Sequence, residues 1–141
     1  IKQEFSKIFK LMFKCGKGEL ALSDPDDLLN TGIDILAIPP GKKINSPVSL
    51  SGGEKALTAI CLLFAMLEVK PSPFVILDEA EAALDEVNVD MFGKYLSEEK
   101  NRSQFIVITH KKRMMEYADS LYGITMQESG VSKIVSAKLE N

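Results

Sequence analysis

The chain has 141 residues, 45% of them apolar and 26% charged, which allows one domain or two at most and enough apolar surface for a core, and so excludes wholesale disorder. Its longest apolar run, the twelve residues 56–67 with Thr58 inside it, falls short of the roughly twenty that a membrane span needs and predicts a buried helix instead. The net charge of −3 divides into +4 over residues 1–18 (five Lys against Glu4) and −7 over the remainder, which excludes a strongly basic nucleic-acid binder but leaves room for a local basic surface.

Ile1, Phe5, Ile8, Phe9, Met12 and Phe13 recur at helical spacing, with Lys2, Lys7, Lys10 and Lys14 off that stripe. They predict an amphipathic helix ended by Gly16 and Gly18. The pattern is already under way at residue 1, with neither Met nor cap, as expected of a cut within a longer protein, and no small-residue cleavage site follows it, so no signal peptide is expected. Residues 19–23 alternate as a short strand, and Ser23-Asp-Pro-Asp-Asp27 carries turn chemistry. A second strand is expected over Ile33–Ile38, stopped by Pro39-Pro40-Gly41, with a loop over 41–49. A long apolar helix is expected over 51–69, its exit marked by Pro71 and Pro73. Phe74-Val-Ile-Leu77 and Phe105-Ile-Val-Ile108 are continuous apolar runs, each the signature of a strand buried on both faces. A helix over 87–98 separates them and a short one over 111–119 follows; residues 121–126 and 131–139 then flank Glu128-Ser-Gly130 as a hairpin. This order predicts an α/β fold, a central mostly parallel sheet flanked by helices, with antiparallel strands at the edges. Cys15 and Cys61 form no CxxC or Cys/His cluster; Cys61, inside the apolar run, reads as packing, and a reducing, cytoplasmic compartment is the default.

Three segments carry chemistry. In Leu50-Ser-Gly-Gly-Glu-Lys55, Ser51 and Glu54 have the spacing of a capping box, which by itself explains them. Gly52 and Gly53, however, fall in the first helical turn, where each costs about 1 kcal/mol relative to Ala. Close approach of a phosphate to bare N–H groups at a positive helix end would offset that cost, so capping and phosphate contact both stand. In Phe74-Val-Ile-Leu-Asp-Glu79 two acids directly follow a strand, at the end where open α/β sheets bind ligands. Asp78 suits Mg²⁺ and Glu79 suits polarising a water; the plain alternative is two solvated surface acids. His110, the one His in the chain, ends the other apolar strand, at the edge where Asp78 sits; alone it reads as structural as readily as catalytic.

Their arrangement is more specific than any one of them. Asp78 lies 25 residues after Gly53, and His110 lies 32 residues after Asp78. LSGGEK at 50–55, ILDEAEAALDE at 76–86 and ITH at 108–110 resemble the signature motif, Walker B, D-loop and switch histidine of an ABC-type ATPase. Glu-Lys after the glycines points to the SMC family of chromosome proteins. DPDDL at 24–28, TGIDI at 31–35, PPGKK at 39–43 and LYGITMQESGVS at 121–132 extend the resemblance, to the C-terminal head lobe of bacterial SMC proteins, over essentially the whole chain. Glu81 stands where Asp is frequent in that family, and Cys15 where Gly is.

The resemblance implies ATP and Mg²⁺ as cofactors and a set of roles. Ser51, Gly52, Gly53 and Glu54 would serve ATP bound on a partner head, Asp78 would help hold the metal, and Glu79 would be the general base. His110 would contact the γ-phosphate in cis, and the D-loop Ala83-Leu84-Asp85 would touch the opposite head. No G-x-x-x-x-G-K-[ST] occurs anywhere, so nothing here cradles the α and β phosphates. In the SMC family that loop belongs to an N-terminal lobe, which makes this chain resemble half of a nucleotide-binding head, inactive alone. Residues 1–18 would be the end of a returning coiled-coil helix and 19–141 the lobe itself. The implied partners are the N-terminal lobe, a second head, a kleisin C-terminal winged-helix domain at the hairpin 121–139, and DNA through the whole nucleoid-associated complex, with no membrane. Lys111-Lys-Arg113 would reach DNA phosphates or simply open a solvated helix. Competing readings are the head lobe of a DNA-repair coiled-coil ATPase and a non-catalytic docking lobe.

Overall fold

Residues 1–41 and 50–138 are described by the structure, a computed structural model; the expected loop residues 42–49 and Leu139 lie outside them. Helix α1 (Lys2–Met12) buries Phe5, Ile8, Phe9 and Met12, and Phe13 just beyond it is buried too. Only Ile1 of the apolar stripe stays half exposed. Phe9 stacks on Phe13 with ring centroids 4.1 Å apart and tilts against Phe5 at 5.8 Å.

The helix does not end through its glycines. The left-handed turn that stops it is made by Lys14 (φ 45°) and Cys15 (φ 87°). Gly16 and Gly18 lie under Phe9 instead, where an added Cβ would come within 2.8 and 2.4 Å of its side-chain atoms. Gly-x-Gly is therefore a packing floor. Cys15 thus holds a backbone conformation that favours Gly.

Strands β1 (Lys17–Leu22) and β2 (Ile33–Ile38) form an antiparallel hairpin, Lys17 opposite Ile38 and Leu22 opposite Ile33. Helix α2 (Gly52–Val69) buries Leu57, Ile60, Cys61, Phe64 and Ala65, and packs across α1. Burial pushes the Cys61 thiol up to about 12, so it is an inert core group. Strand β3 (Phe74–Asp78), helix α3 (Glu86–Glu99) and strand β4 (Gln104–Ile108) form one parallel crossover unit, in register from Phe74↔Gln104 to Asp78↔Ile108. Phe64 of α2 stacks on Tyr95 of α3 at 4.1 Å and on Phe92 at 5.6 Å. Helix α4 (Lys112–Met115) precedes the antiparallel hairpin β5 (Ser120–Glu128) and β6 (Val131–Lys138).

Three expectations are corrected. The parallel component is one pair, β3–β4, and the hairpins form separate two-stranded sheets among the described residues. Those two strands are not buried on both faces: Leu77 is buried and Val75, Phe105 and Val107 are half buried, but Phe74, Ile76, Ile106 and Ile108 are 45–58% exposed. No described element covers that second face. Helix α4 ends at Met115 rather than 119, because Tyr117 N–H and Ala118 N–H bond three residues back, to Met114 and Met115, and tighten the last turn.

Two arginines clip the helices. Arg102 donates to Glu68 Oε2 (2.7 Å), to Glu99 (3.0 Å) and to the Glu68 carbonyl (3.3 Å), supplying the cation that the last turn of α2 lacks. Arg113 grips Asp90 with two nitrogens, the Tyr117 hydroxyl adding a third bond at 3.1 Å. Hydrogen bonds from the arginines, foremost, hold the carboxyls of Glu68 and Asp90 below the usual range.

Two predictions follow from this packing. A left-handed non-Gly residue costs about 1–2 kcal/mol, and the looser unfolded chain of a Gly variant returns part of that. Cys15→Gly should therefore raise the melting temperature, whereas Cys15→Ala should not. Carboxyls held below their ordinary range contribute stability that is complete above roughly pH 4–4.5 and is lost as pH falls through the lowered values. The urea midpoint should thus fall between pH 6 and pH 3, and by less in the Arg102→Gln/Arg113→Gln double variant than in the unaltered chain.

Candidate functional site

The β3–β4 register decides where the polar residues emerge. Asp78 sits opposite Ile108, so Glu79 and His110 leave the sheet at the same end. Glu79 N–H extends the ladder by donating to the Ile108 carbonyl at 2.9 Å. Glu79 itself is left-handed (φ 46°), a strain of order 1–3 kcal/mol that non-Gly residues carry mainly at functional sites. Its Oε1 lies 3.1 Å from His110 Nδ1, with both side chains more than half exposed. With the carboxylate accepting, the shared proton sits on Nδ1. The Asp78 side chain is exposed and makes no hydrogen bond among the described residues. Among the described residues no group of three or more acid, His or Cys side chains is arranged for a metal there. Asp78 therefore offers a single carboxylate, which is the donor set Mg²⁺ accepts when phosphates and water complete its shell.

After Glu79 the backbone makes two successive turns, Ala82 N–H donating to the Glu79 carbonyl (2.9 Å) and Leu84 N–H to the Glu81 carbonyl (3.0 Å). Leu84 is buried in the core, while Ala83 and Asp85 face outward. Asp85 also caps α3, accepting from Asn88 N–H at 2.8 Å. Glu81, 1% exposed, accepts from the Thr109 hydroxyl through Oε1, and its Oε2 has no partner among the described residues. Lys111 Nζ donates to the carbonyls of Glu81 (2.8 Å) and Leu84 (2.7 Å).

The other cluster is the start of α2. The capping box is present: Ser51 N–H donates to Glu54 Oε2 at 2.6 Å, and Glu54 N–H donates to Ser51 Oγ at 3.3 Å. The two glycines differ. A Cβ on Gly53 would meet the Ala83 carbonyl at 2.9 Å, so the turn after Glu79 rests directly on the helix start. A Cβ on Gly52 would meet nothing within 4 Å, so no packing among the described residues accounts for it.

The structure thus brings Asp78, Glu79 and His110 to one sheet end, and joins them to Ser51–Glu54 through the turn at 79–84. Lys111 and Thr109 were not singled out as site residues from sequence; their only signal was adjacency to His110. Within the basic run, Lys111 is engaged on carbonyls and Arg113 on Asp90 and Glu116.

Residues 6–133 match the family described as RecF/RecN/SMC N terminal domain. The Bacillus subtilis (strain 168) chromosome partition protein Smc is 58% identical over 140 residues, which is 99% of this chain and 12% of that protein. The chain thus spans about an eighth of the length of the curated relatives it matches. Among solved structures, a head of the same kind bound to the C-winged helix domain of ScpA superposes with TM-score 0.90 at 42% identity, covering 99% of this chain and 42% of that one. A chain from work on ATP-driven dimerization and DNA-stimulated activation of SMC ATPases superposes with TM-score 0.86 at 40% identity, over 97% of this chain and 83% of that one. The fold is the mixed α/β fold of SMC head domains.

The glycine contrast is testable by melting. Gly53→Ala forces a methyl onto a backbone carbonyl, an overpacking cost of about 1–3 kcal/mol that exceeds or cancels the helix-propensity gain of about 1 kcal/mol. Gly52→Ala keeps the gain without the clash. Gly52→Ala should raise the melting temperature, and Gly53→Ala should leave it unchanged or lower it.

Proposed function

The chain belongs to the RecF/RecN/SMC N terminal domain family, and on that footing we propose that it is the C-terminal lobe of an SMC ATPase head, acting in chromosome condensation and segregation. Although the family is described by an N-terminal domain, this sequence holds the signature, strand-acid and histidine motifs and no phosphate-binding loop, which is the complement expected of the C-terminal half. The observation that carries the reading is the sheet end: Glu79 and His110 3.1 Å apart beside Asp78, on a parallel pair whose other face no described element covers. Phe74, Ile76, Ile106 and Ile108 need another layer, and an N-terminal lobe bearing the phosphate loop would cover them beside the site.

In the assembled head Asp78 would hold Mg²⁺, and the ion would supply charge to offset that of the phosphates. Glu79 takes a proton from the attacking water, and His110 orients Glu79 while facing the γ-phosphate. The open Gly52 turn and the amides beside Ser51 meet ATP on the second head. Cross-head contact by the D-loop falls to Ala83 and Asp85, since Leu84 is in the core. Splitting the groups between two bodies links hydrolysis to opening and closing of the heads. The hairpin, with Tyr122, Ile124 and Ile134 exposed, is the surface for a kleisin winged-helix domain, and DNA is engaged by the whole complex. A DNA-repair head would share the ATP motifs but would not need that docking hairpin.

The test is a head rebuilt with its N-terminal lobe, examined by light scattering and phosphate release. The chain alone should neither bind nor hydrolyse ATP. Glu79→Gln should cut hydrolysis roughly 10²–10⁴-fold while ATP still dimerises the heads. Ser51→Arg should keep ATP binding in cis but lose dimerisation, because bulk at the bare helix start outweighs attraction of the guanidinium to phosphate. A Glu79→Gln head that hydrolyses at the unaltered rate would return the strand-end acids to surface residues.

A further inference from the structure

The turn that carries Glu79 through Asp85 is fastened from one side by the residues after β4. Lys111 Nζ donates to the carbonyls of Glu81 (2.8 Å) and Leu84 (2.7 Å), so two of its three protons are engaged within the chain. Lys111 N–H donates to Thr109 Oγ1 (3.0 Å), and that hydroxyl donates onward to the buried carboxyl of Glu81. On the other side the Ala83 carbonyl abuts Gly53. His110 lies between Thr109 and Lys111, and faces Glu79.

We propose that Lys111 is a positioning residue for ATP hydrolysis: its ammonium, with the Thr109–Glu81 bond, latches the turn after Glu79 to the end of β4 and thereby holds Glu79 in line. The inference rests on the ATPase reading above. The physical need for a latch is plain. Glu79 is held left-handed at a strain cost, and its only side-chain partner among the described residues is an exposed histidine, a contact type worth about 0–1 kcal/mol. Such a contact cannot hold a strained residue in register. A cation on two partly buried carbonyls can, because hydrogen bonds from charged donors are roughly twice as strong as neutral ones. Lys111 is not a nucleotide ligand in this arrangement, since its ammonium is turned onto its own chain.

The experiment uses the rebuilt head with ATP and Mg²⁺. Lys111→Met keeps the stem and removes the donors. It should lower kcat about 10- to 100-fold, as expected when a catalytic group is displaced by about an ångström, and leave KM for ATP within about twofold. Lys111→Arg should recover part of the loss. In a Glu79→Gln background Lys111→Met should add less than about twofold, because both changes act through one carboxylate. Should Lys111→Met fail to fold, Thr109→Val, which removes the hydroxyl at similar volume, carries the same expectations. An unchanged kcat, a raised KM with kcat intact, or a full further loss in the Glu79→Gln background would each overturn the proposal. A rebuilt head with no ATP hydrolysis at all would sink the functional reading instead. In that case hydrogen exchange still tests the latch: Lys111→Met should speed exchange of the Ala82 and Leu84 amides roughly tenfold without doing so in α1, and no change there would refute it.

Discussion

The parallel pairing of β3 with β4 is the constraint from which the rest of the site descends. Val75, Leu77, Phe105 and Val107 pack toward the helices while Phe74, Ile76, Ile106 and Ile108 face the other way. In the observed register Asp78 stands level with Ile108, and the residues that follow both strands meet at one end. The 3.1 Å contact between Glu79 and His110, 31 residues apart in sequence, is a consequence of that register.

Much of this was legible beforehand, and the exceptions have physical causes. The α1 stripe, the Ser51–Glu54 capping box, the helices α2 and α3 and the shared sheet end of Asp78 and His110 are short-range or periodic features, which composition along the chain displays directly. What could not be read was whatever depends on contacts between distant backbones. Lys111 reaching the Glu81 and Leu84 carbonyls has no periodicity, because carbonyls are the same in every residue. The left-handed Cys15 hides for the complementary reason, since its own side chain argues against the conformation it adopts. The apolar runs of β3 and β4 were read as strands covered on both sides. An uninterrupted apolar run records what a strand is suited to face, and here four of those residues face outward, 45–58% exposed, with no described element over them.

The glycines separate two kinds of demand that a sequence motif merges. Gly16, Gly18 and Gly53 are required by groups of the chain itself, the Phe9 ring in the first two cases and the Ala83 carbonyl in the third. Among the described residues nothing requires Gly52. Of the paired glycines, then, one is structural, tying α2 to the turn after Glu79, and the other leaves open backbone at a positive helix end.

The exposure of the site groups bears on how they could work. A carboxylate and an imidazole 54–70% exposed interact weakly across water, and neither alone would be a selective catalyst. What the chain supplies instead is placement: a strained Glu79, a turn pinned between Lys111 and Gly53, and a sheet end held by a buried core face. Preorganised groups gain their strength when water is excluded around them, since the same dipoles act through a lower effective dielectric and need no reorientation during reaction. On the reading proposed above, a placed but open site of this kind is weak while uncovered and strong once a second body closes over it. That would let chemistry wait for assembly, with the placement built into the chain that carries Glu79.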